Sequence, residues 1–349
     1  MSFLSGLIIY GSRNVFTVRV EEGSREGSLE NKGISQSFLP YSNYDSDFEL
    51  HPNISNRNPD SLPSMLQCRI KGKILDDAEG FYNPLAPGDR VVVEPGTGMI
   101  VALEERKNFF SRFNQKGNCT QLLAANVDQV LCLTSSQSPP FRPRFLDRVL
   151  LQADAAGIPV IIVCNKIDLN DGNSSDAETN GRLDDFRRIG YAVIAVSAKT
   201  GTGLDELRRC INGKLSVLIG QSGVGKSSLI NALLPELNIK TGTINEKYDR
   251  GNHTTTLASM IEIDSATRII DTPGIRRFVP DGIAADEIIL YMREFSPLAG
   301  RCTYGISCSH RSESGCRIIE AVANGTIHED RYSSFLRIHD ELSGKNNAD

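Results

Sequence analysis

The run Gly220-Gln221-Ser222-Gly223-Val224-Gly225-Lys226-Ser227 carries the strongest chemical signal in the chain. Glycines at this spacing let the backbone fold tightly enough to aim its amides at phosphate oxygens. The run follows a strand-like stretch at 214–220 and opens a helix-like stretch at 226–234. A helix N-terminus adds partial positive charge at that point. Lys226 is expected to reach the β- and γ-phosphates of a nucleotide, and the Ser227 hydroxyl to ligate Mg²⁺. Ser228, the next residue, is placed with the nucleotide-binding set.

Three further segments fit around such a site. Asp271-Thr272-Pro273-Gly274 follows the apolar run 268–270. A carboxylate at a strand end can hold Mg²⁺, here through water, and the Gly274 amide can sense a γ-phosphate. Asn165-Lys166-Ile167-Asp168 closes another apolar run. The Asp168 carboxylate can accept both the ring N–H and the exocyclic amine of guanine, a donor pair that adenine lacks. Asn165 and Lys166 are expected to steady that loop and cover the base. Ser197-Ala198-Lys199 ends the next strand-like run, with the Ala198 amide placed for the guanine O6. Both loops sit at carboxyl ends of strands, where such sheets bind ligands. Between the glycine-rich run and Asp271 lies Gly251-Asn252-His253-Thr254-Thr255-Thr256. A threonine in a switch loop can ligate Mg²⁺ when a γ-phosphate is present. Thr255 is assigned that role, with Thr254 and Thr256 as alternatives.

Cys302, Cys308, His310 and Cys316 form a second cluster. Three thiolates and one imidazole suffice for a closed tetrahedral metal site, which is structural because no position remains for water. Thiolate-rich ligation favours zinc. The other cysteines are scattered, and Cys132 and Cys164 lie inside apolar runs as buried, reduced thiols.

The elements that must position these residues change character along the chain. Short alternating strands at 7–10, 15–20, 66–75, 89–96 and 99–106 suggest a small β-barrel. A polar, aperiodic stretch at about 21–63 interrupts it and reads as a disordered insertion. From residue 126 apolar strands alternate with helical segments, which implies a parallel sheet covered on both faces. Residues 170–181 read as a polar loop within it. Helical patterns at 316–325 and 329–342 close the chain.

The net charge of −5 excludes a generally basic nucleic-acid coat, so any RNA contact must be local. One candidate is 106–120, where Arg106, Lys107, Arg112 and Lys116 interleave with Phe109, Phe110 and Phe113; a solvated linker reads equally well. Arg311, Arg317, Arg331 and Arg337 face RNA or form a plain solvated helix face. No apolar run reaches the ~18 residues of a membrane span. Met1–Tyr10 lacks the basic start of a secretion signal. A cytoplasmic monomer with no membrane partner is expected.

The order of the motifs is unusual. The base-recognition segments at 165–168 and 197–199 precede the phosphate-binding run, the threonine-rich loop and Asp271. This order resembles the circularly permuted GTPases. The segments 125–136 and 143–153, the HTTT run and the C-terminal Cys/His cluster resemble the small-ribosomal-subunit biogenesis GTPases of the RsgA (YjeQ/YloQ) family. The resemblance spans roughly residues 66–340. It implies a multidomain protein: an N-terminal OB-fold β-barrel (1–110, with the insertion), a central α/β P-loop GTPase of circularly permuted topology (111–285) and a C-terminal helical zinc-binding domain (286–349). It also implies GTP and GDP as ligands, the small (30S) ribosomal subunit and its rRNA as partners, and hydrolysis stimulated by the ribosome. The long insertion departs from the family pattern. So does the Cys302–Cys308 spacing, with five intervening residues where the pattern has four.

Many small GTPases carry a water-orienting glutamine just after the segment equivalent to 271–274. This chain has Ile275, then Arg276 and Arg277. An apolar side chain cannot hold water, so slow intrinsic turnover is expected. His253 is the candidate for that task, with an ordinary loop role as the alternative. The segment 275–288 leads directly into the metal cluster and offers a mechanical link to the C-terminal region. A second functional reading is an RNA-binding assembly scaffold for which GTP and GDP are mainly conformational ligands.

Overall fold

The computed structural model describes residues 3–12, 15–21, 65–70, 80–172, 174–237 and 258–346. Most of the expected insertion, the 251–257 loop with His253 and Thr255, and residues 71–79 lie outside the described residues.

Five strands form the N-terminal barrel: β1 (Leu4–Ser12), β2 (Val15–Val20), β3 (Met65–Ile70), β4 (Arg90–Glu94) and β5 (Met99–Leu103). They pair in the order β1-β2-β3-β5-β4, and β1 returns to β4, so the barrel closes. Closure removes exposed edges. Alternation drives it: Phe16 and Val18 of β2 point inward with Ile8, Cys68, Val91, Val93 and Ile100. Strands β6 (Phe109–Asn114) and β7 (Cys119–Ala125) form a separate antiparallel hairpin.

The second sheet is doubly wound. Its elements are β8 (Gln129–Ser135), α1 (Pro143–Ala155), β9 (Val160–Asn165), α2 (Ser174–Arg188), β10 (Ala192–Ala195), α3 (Leu204–Ile211), β11 (Leu215–Gly220), α4 (Lys226–Leu233), β12 (Ser259–Glu262) and β13 (Arg268–Asp271). The order is β10-β9-β8-β11-β13-β12, parallel except for β12. Numbered from β11, it reads 6-5-4-1-3-2, so permutation changes the connections and keeps the strand places. Successive strand residues serve opposite faces. Val130, Cys132, Val217 and Ile219 pack under α1 and α2, whereas Leu131, Leu133 and Leu218 pack under α3 and α4. Tyr10 of β1 pairs with Ser259 of β12 and joins barrel to sheet.

Two expectations are corrected here. Residues 174–181 are not loop but the start of α2. Asp176 accepts the amides of Asp171 and Gly172 at 2.8 and 2.9 Å, which fixes the helix start. Arg182–Asp185 and Arg187–Asp184 pairs then run along it, and Leu183 and Phe186 anchor it in the core. Two fully buried side chains, each stabilising by about 1.5–3 kcal/mol, carry a helix that looks polar in sequence. Residues 106–120 are not a solvated linker but carry β6 and the turn into β7, and Arg106 and Phe110 are drawn inward from the RNA-facing set. Arg106 grips the buried Asp89 carboxylate at 2.7 and 2.9 Å, and Phe110 is fully buried against Phe278.

The C-terminal region holds α5 (Ile288–Tyr291), α6 (Arg317–Ala323) and α7 (Glu329–Asn346) around a core that includes Phe295, Ile318, Phe335 and Ile338. Leu151 of α1 joins that core. Among the described residues no helix is long and apolar enough to cross a membrane.

Candidate nucleotide site and metal centre

The carboxyl ends of β9, β10, β11 and β13 deliver the predicted residues to one place. The chain leaves β11 at Gly220 and enters α4 at Lys226. Gly225, at the turn into α4, has φ of +95°, a left-handed conformation that glycine adopts without strain. A Cβ there would lie 2.4 Å from the Asn165 side-chain nitrogen. This close approach lets Asn165 hold two loops at once. Its Nδ2 donates to the Val224 carbonyl at 3.0 Å, and its Oδ1 accepts the Ala198 amide at 3.1 Å. Lys166 follows in a left-handed conformation, and its Nζ donates to the carbonyls of Gly223, at 2.7 Å, and Ser138. The loops at 165–168 and 197–199 are thus bolted to the loop at 220–226.

Asp168 sits in a short 3-10 turn, Ile167–Leu169. The Ser197 hydroxyl donates to its Oδ1 at 2.6 Å, and Lys199 Nζ stands 3.9 Å from its Oδ2. The carboxylate is oriented by these contacts beside the Ala198 amide. On the phosphate side, Lys226 is buried, and its Nζ donates to Gly220 and Gln221 carbonyls at 3.0 and 3.3 Å. Burial lowers its pKa, and Asp271 opposes that shift. Gly274 passes so close to Ser222 that a Cβ would meet its Cα at 3.0 Å. The Ile275 amide donates to the Gly220 carbonyl at 3.2 Å, so the 271–275 segment lies against the phosphate loop.

Asp271 is buried, and burial raises its pKa to about 7 against the pull of Lys226 and the Thr272 amide. Its Oδ1 has no hydrogen-bond partner among the described residues. An unpartnered buried carboxylate oxygen is costly unless a cation takes it. That fits a divalent ion held near Ser227, which is half-buried at the start of α4.

Downstream of Gly274 the chain is firmly seated. Ile275 and Phe278 are buried, and Phe278 packs on Phe110 and Phe145 with ring centroids 5.8 and 6.5 Å apart. The Phe113 amide donates to the Val279 carbonyl at 3.0 Å, and Gln152 brackets Asp281 through its amide and carbonyl.

The Cys/His cluster assembles as its residue types suggest. The ligand atoms of Cys302, Cys308, His310 and Cys316 are buried and lie within 4.8 Å of one another. Cys302 Sγ is 3.8 Å from Cys316 Sγ, and His310 Nδ1 is 3.5 and 3.4 Å from those two sulfurs. Tetrahedral ligation at ordinary zinc bond lengths puts sulfurs about 3.8 Å apart, and sulfur and nitrogen about 3.6 Å apart. The group can therefore hold a metal ion, and the longer Cys302–Cys308 loop does not displace Cys302. Glu313 shapes the knuckle by accepting amides from Ser309, Arg311 and Ser312. The Ser309 side chain above all, then the backbone amides of Glu313, Arg311 and Ser309, holds its carboxyl well below the usual carboxylate range. Tyr332 ties α7 to it by donating to the His310 carbonyl at 2.6 Å.

One arginine expected on an RNA-facing or solvated surface is in neither place. Arg331 is 1% exposed and joins three elements. It contacts Asp147 of α1 at 2.9 Å and Glu294 at 2.5 and 3.0 Å. Burial opposes its charge, but the two carboxylates outweigh burial and hold its pKa well above the usual arginine range. Arg311 and Arg317 pair with Asp340 and Glu320, and Arg337 is exposed. Sequence reasoning missed Asp147 and Glu294; a carboxylate within the apolar helix Pro143–Ala155 was the available signal.

Fold and geometry together define a class, the P-loop GTPase with circularly permuted chain order. A family model described as RsgA GTPase matches residues 103–279. The chain belongs to the RsgA GTPase family. It is 38% identical over 289 residues to small ribosomal subunit biogenesis GTPase RsgA 2 of Bacteroides thetaiotaomicron, covering 81% of this chain and 92% of that one. It is also 38% identical over 272 residues to the RsgA of Moorella thermoacetica, covering 77% and 87%. Among solved structures, YjeQ from Thermotoga maritima superposes with a TM-score of 0.66 at 27% identity, over 98% of this chain and 99% of that one. YloQ, titled a circularly permuted GTPase, gives 0.62 at 23% identity over 98% and 96%, a likeness of fold.

Proposed function

We propose that this protein is a GTP hydrolase that acts in late maturation of the small ribosomal subunit, binds its rRNA and is stimulated by it. The observation that carries the nucleotide half is the pair of hydrogen bonds by which Asn165 donates to the Val224 carbonyl and accepts from the Ala198 amide, which gathers motifs of permuted order around one place. The ribosomal half rests on relatives named for that task.

In this reading Asp168 accepts the guanine N–H groups, with Ser197 fixing it, and the Ala198 amide donates to O6, sharing its N–H with Asn165 Oδ1. The amides of 220–225 and Lys226 cradle the phosphates, with Ser228 beside them. Ser227, Asp271 and Thr255 hold Mg²⁺, which when bound neutralises charge that develops on the phosphates. Gly274 reads the γ-phosphate. His253 orients water, because the buried Ile275 side chain has no polar atom for the purpose. Zinc fits the Cys302, Cys308, His310 and Cys316 group, where it stabilises the fold of the C-terminal region. The chain acts as a cytoplasmic monomer in three parts, at 1–110, 111–285 and 286–349.

Ile275 also favours a second reading, in which nucleotide is chiefly a conformational ligand of an RNA-binding assembly scaffold. GTP turnover with and without purified small subunits separates the two. Stimulation by orders of magnitude, lost in His253→Ala with GTP affinity kept, supports the hydrolase. Turnover that small subunits leave unchanged overturns it.

A further inference from the structure

A hollow of about 380 Å³ lies where the barrel, the β6–β7 hairpin and the segment after Gly274 meet. Its described walls carry Arg112, Lys116, Arg276 and Arg277 and no carboxylate. A second hollow, of about 460 Å³, shares Arg276 and Arg277 and extends to the start of α1 with Arg142, Arg144 and Arg148. Its single acidic residue, Asp330, stands 3.7 Å from Arg182.

Elsewhere on this chain many cations are neutralised: Arg90 by Glu21, Arg106 by Asp89, Arg293 by Asp154. In the two hollows Arg277 and Arg148 share Glu341, at 3.0 and 2.7 Å. Arg112, Lys116, Arg142, Arg144 and Arg276 have no carboxylate in reach among the described residues; Arg112 Nε meets only the neutral Gln121, at 3.1 Å. A chain of net charge −5 therefore concentrates unneutralised cations along one belt. Mutual repulsion in such a belt is relieved by a polyanion, and its counterions are released on binding. Tyr82, 42% exposed, lines the first hollow, and the half-buried Phe141 lines the second. Aromatic faces can stack unpaired bases, which a duplex keeps inside its own stack.

We propose that the two hollows form one track for the phosphodiester backbone of single-stranded RNA, running over Arg276 and Arg277. The proposal rests on the ribosomal reading above and specifies where RNA meets the switch. Gly274 and Ile275 line the first hollow, so a strand seated there bears directly on the segment that faces the phosphate loop.

The test is binding of a short labelled oligouridylate to the full-length, GDP-bound protein across a range of salt. Each phosphate contact to a single strand contributes about 0.7 to the log–log salt slope. The triple variant Arg112→Gln/Lys116→Gln/Arg276→Gln should lose about 2 from that slope and at least roughly tenfold in affinity at low salt. Arg112→Lys/Arg276→Lys should keep the slope, which separates lost charge from lost structure. Arg208→Gln/Arg209→Gln on α3 should leave it unchanged. The track is refuted by an unaltered slope in the triple variant, by an equal loss in the α3 variant, or by a triple variant that loses affinity for polyglutamate but not for RNA. Small subunits that fail to stimulate the wild type would sink the ribosomal reading alone, since the oligouridylate slope still decides the track.

Discussion

The Asn165 carboxamide donates to the Val224 carbonyl at 3.0 Å across 59 residues of sequence. This bond joins the Asn165–Asp168 loop, proposed to read the base, to the Gly220–Lys226 loop, proposed to wrap the phosphates. Permutation reverses the order of those loops along the chain, so their relative placement must come from such cross-links and from the sheet.

Asn165→Ala removes this bond and the one to the Ala198 amide, taking a donor from the buried Val224 carbonyl and the cross-link from both loops. A cost of about 1–3 kcal/mol is expected, read as a roughly 5- to 150-fold loss of GDP affinity in a fluorescent-nucleotide titration. Gly225→Ala should be at least as damaging, because it combines left-handed strain with a contact on Asn165. Unchanged affinity in both would show that the cross-link does not shape the site.

Cys302→Ser tests whether the longer loop still supplies a metal ligand. The purified variant should retain bound metal at least about tenfold more weakly against a chelator, and its thermal midpoint should fall with it. Full retention of metal would leave Cys302 a buried thiol near the site.

Arg331→Met strands the Asp147 and Glu294 carboxylates in the interior. Removing one partner of a buried ionic network costs about 3–5 kcal/mol, so chemical denaturation should show a loss of that order. A change below about 1 kcal/mol would mean that water reaches the network.

How much was legible in the sequence follows from how local the physics is. The strand-to-helix turn over Gly220–Lys226 was legible because its closely spaced glycines set a particular backbone within a single turn. The placement of Asp271 was legible because an apolar strand ends at it, and that of Asp168 because it stands three residues beyond the end of another. The start of α2 was not: its stability comes from Asp176 capping and from Leu183 and Phe186 meeting a core built elsewhere. Arg331 was misread because its partner Asp147 lies 184 residues away; the signal on its own helix was the apolar stripe Phe335, Ile338 and Leu342, at i+4, i+7 and i+11 on the same face. Arg106 was misread for the same reason, since Asp89 sits on the barrel side of the chain. His253 and Thr255 fall outside the described residues, so their roles rest on sequence and await the kinetic test.

Competition for a fluorescent guanine nucleotide by unlabelled GDP and ADP, in the wild type and in Asp168→Asn, probes the single guanine site most directly. GDP should displace the probe at least roughly a hundredfold more effectively than ADP, and Asp168→Asn should shift that preference toward xanthosine diphosphate. Equal displacement by ADP and GDP in the wild type would contradict the assignment of Asp168 and with it the convergence of the permuted motifs on one guanine nucleotide.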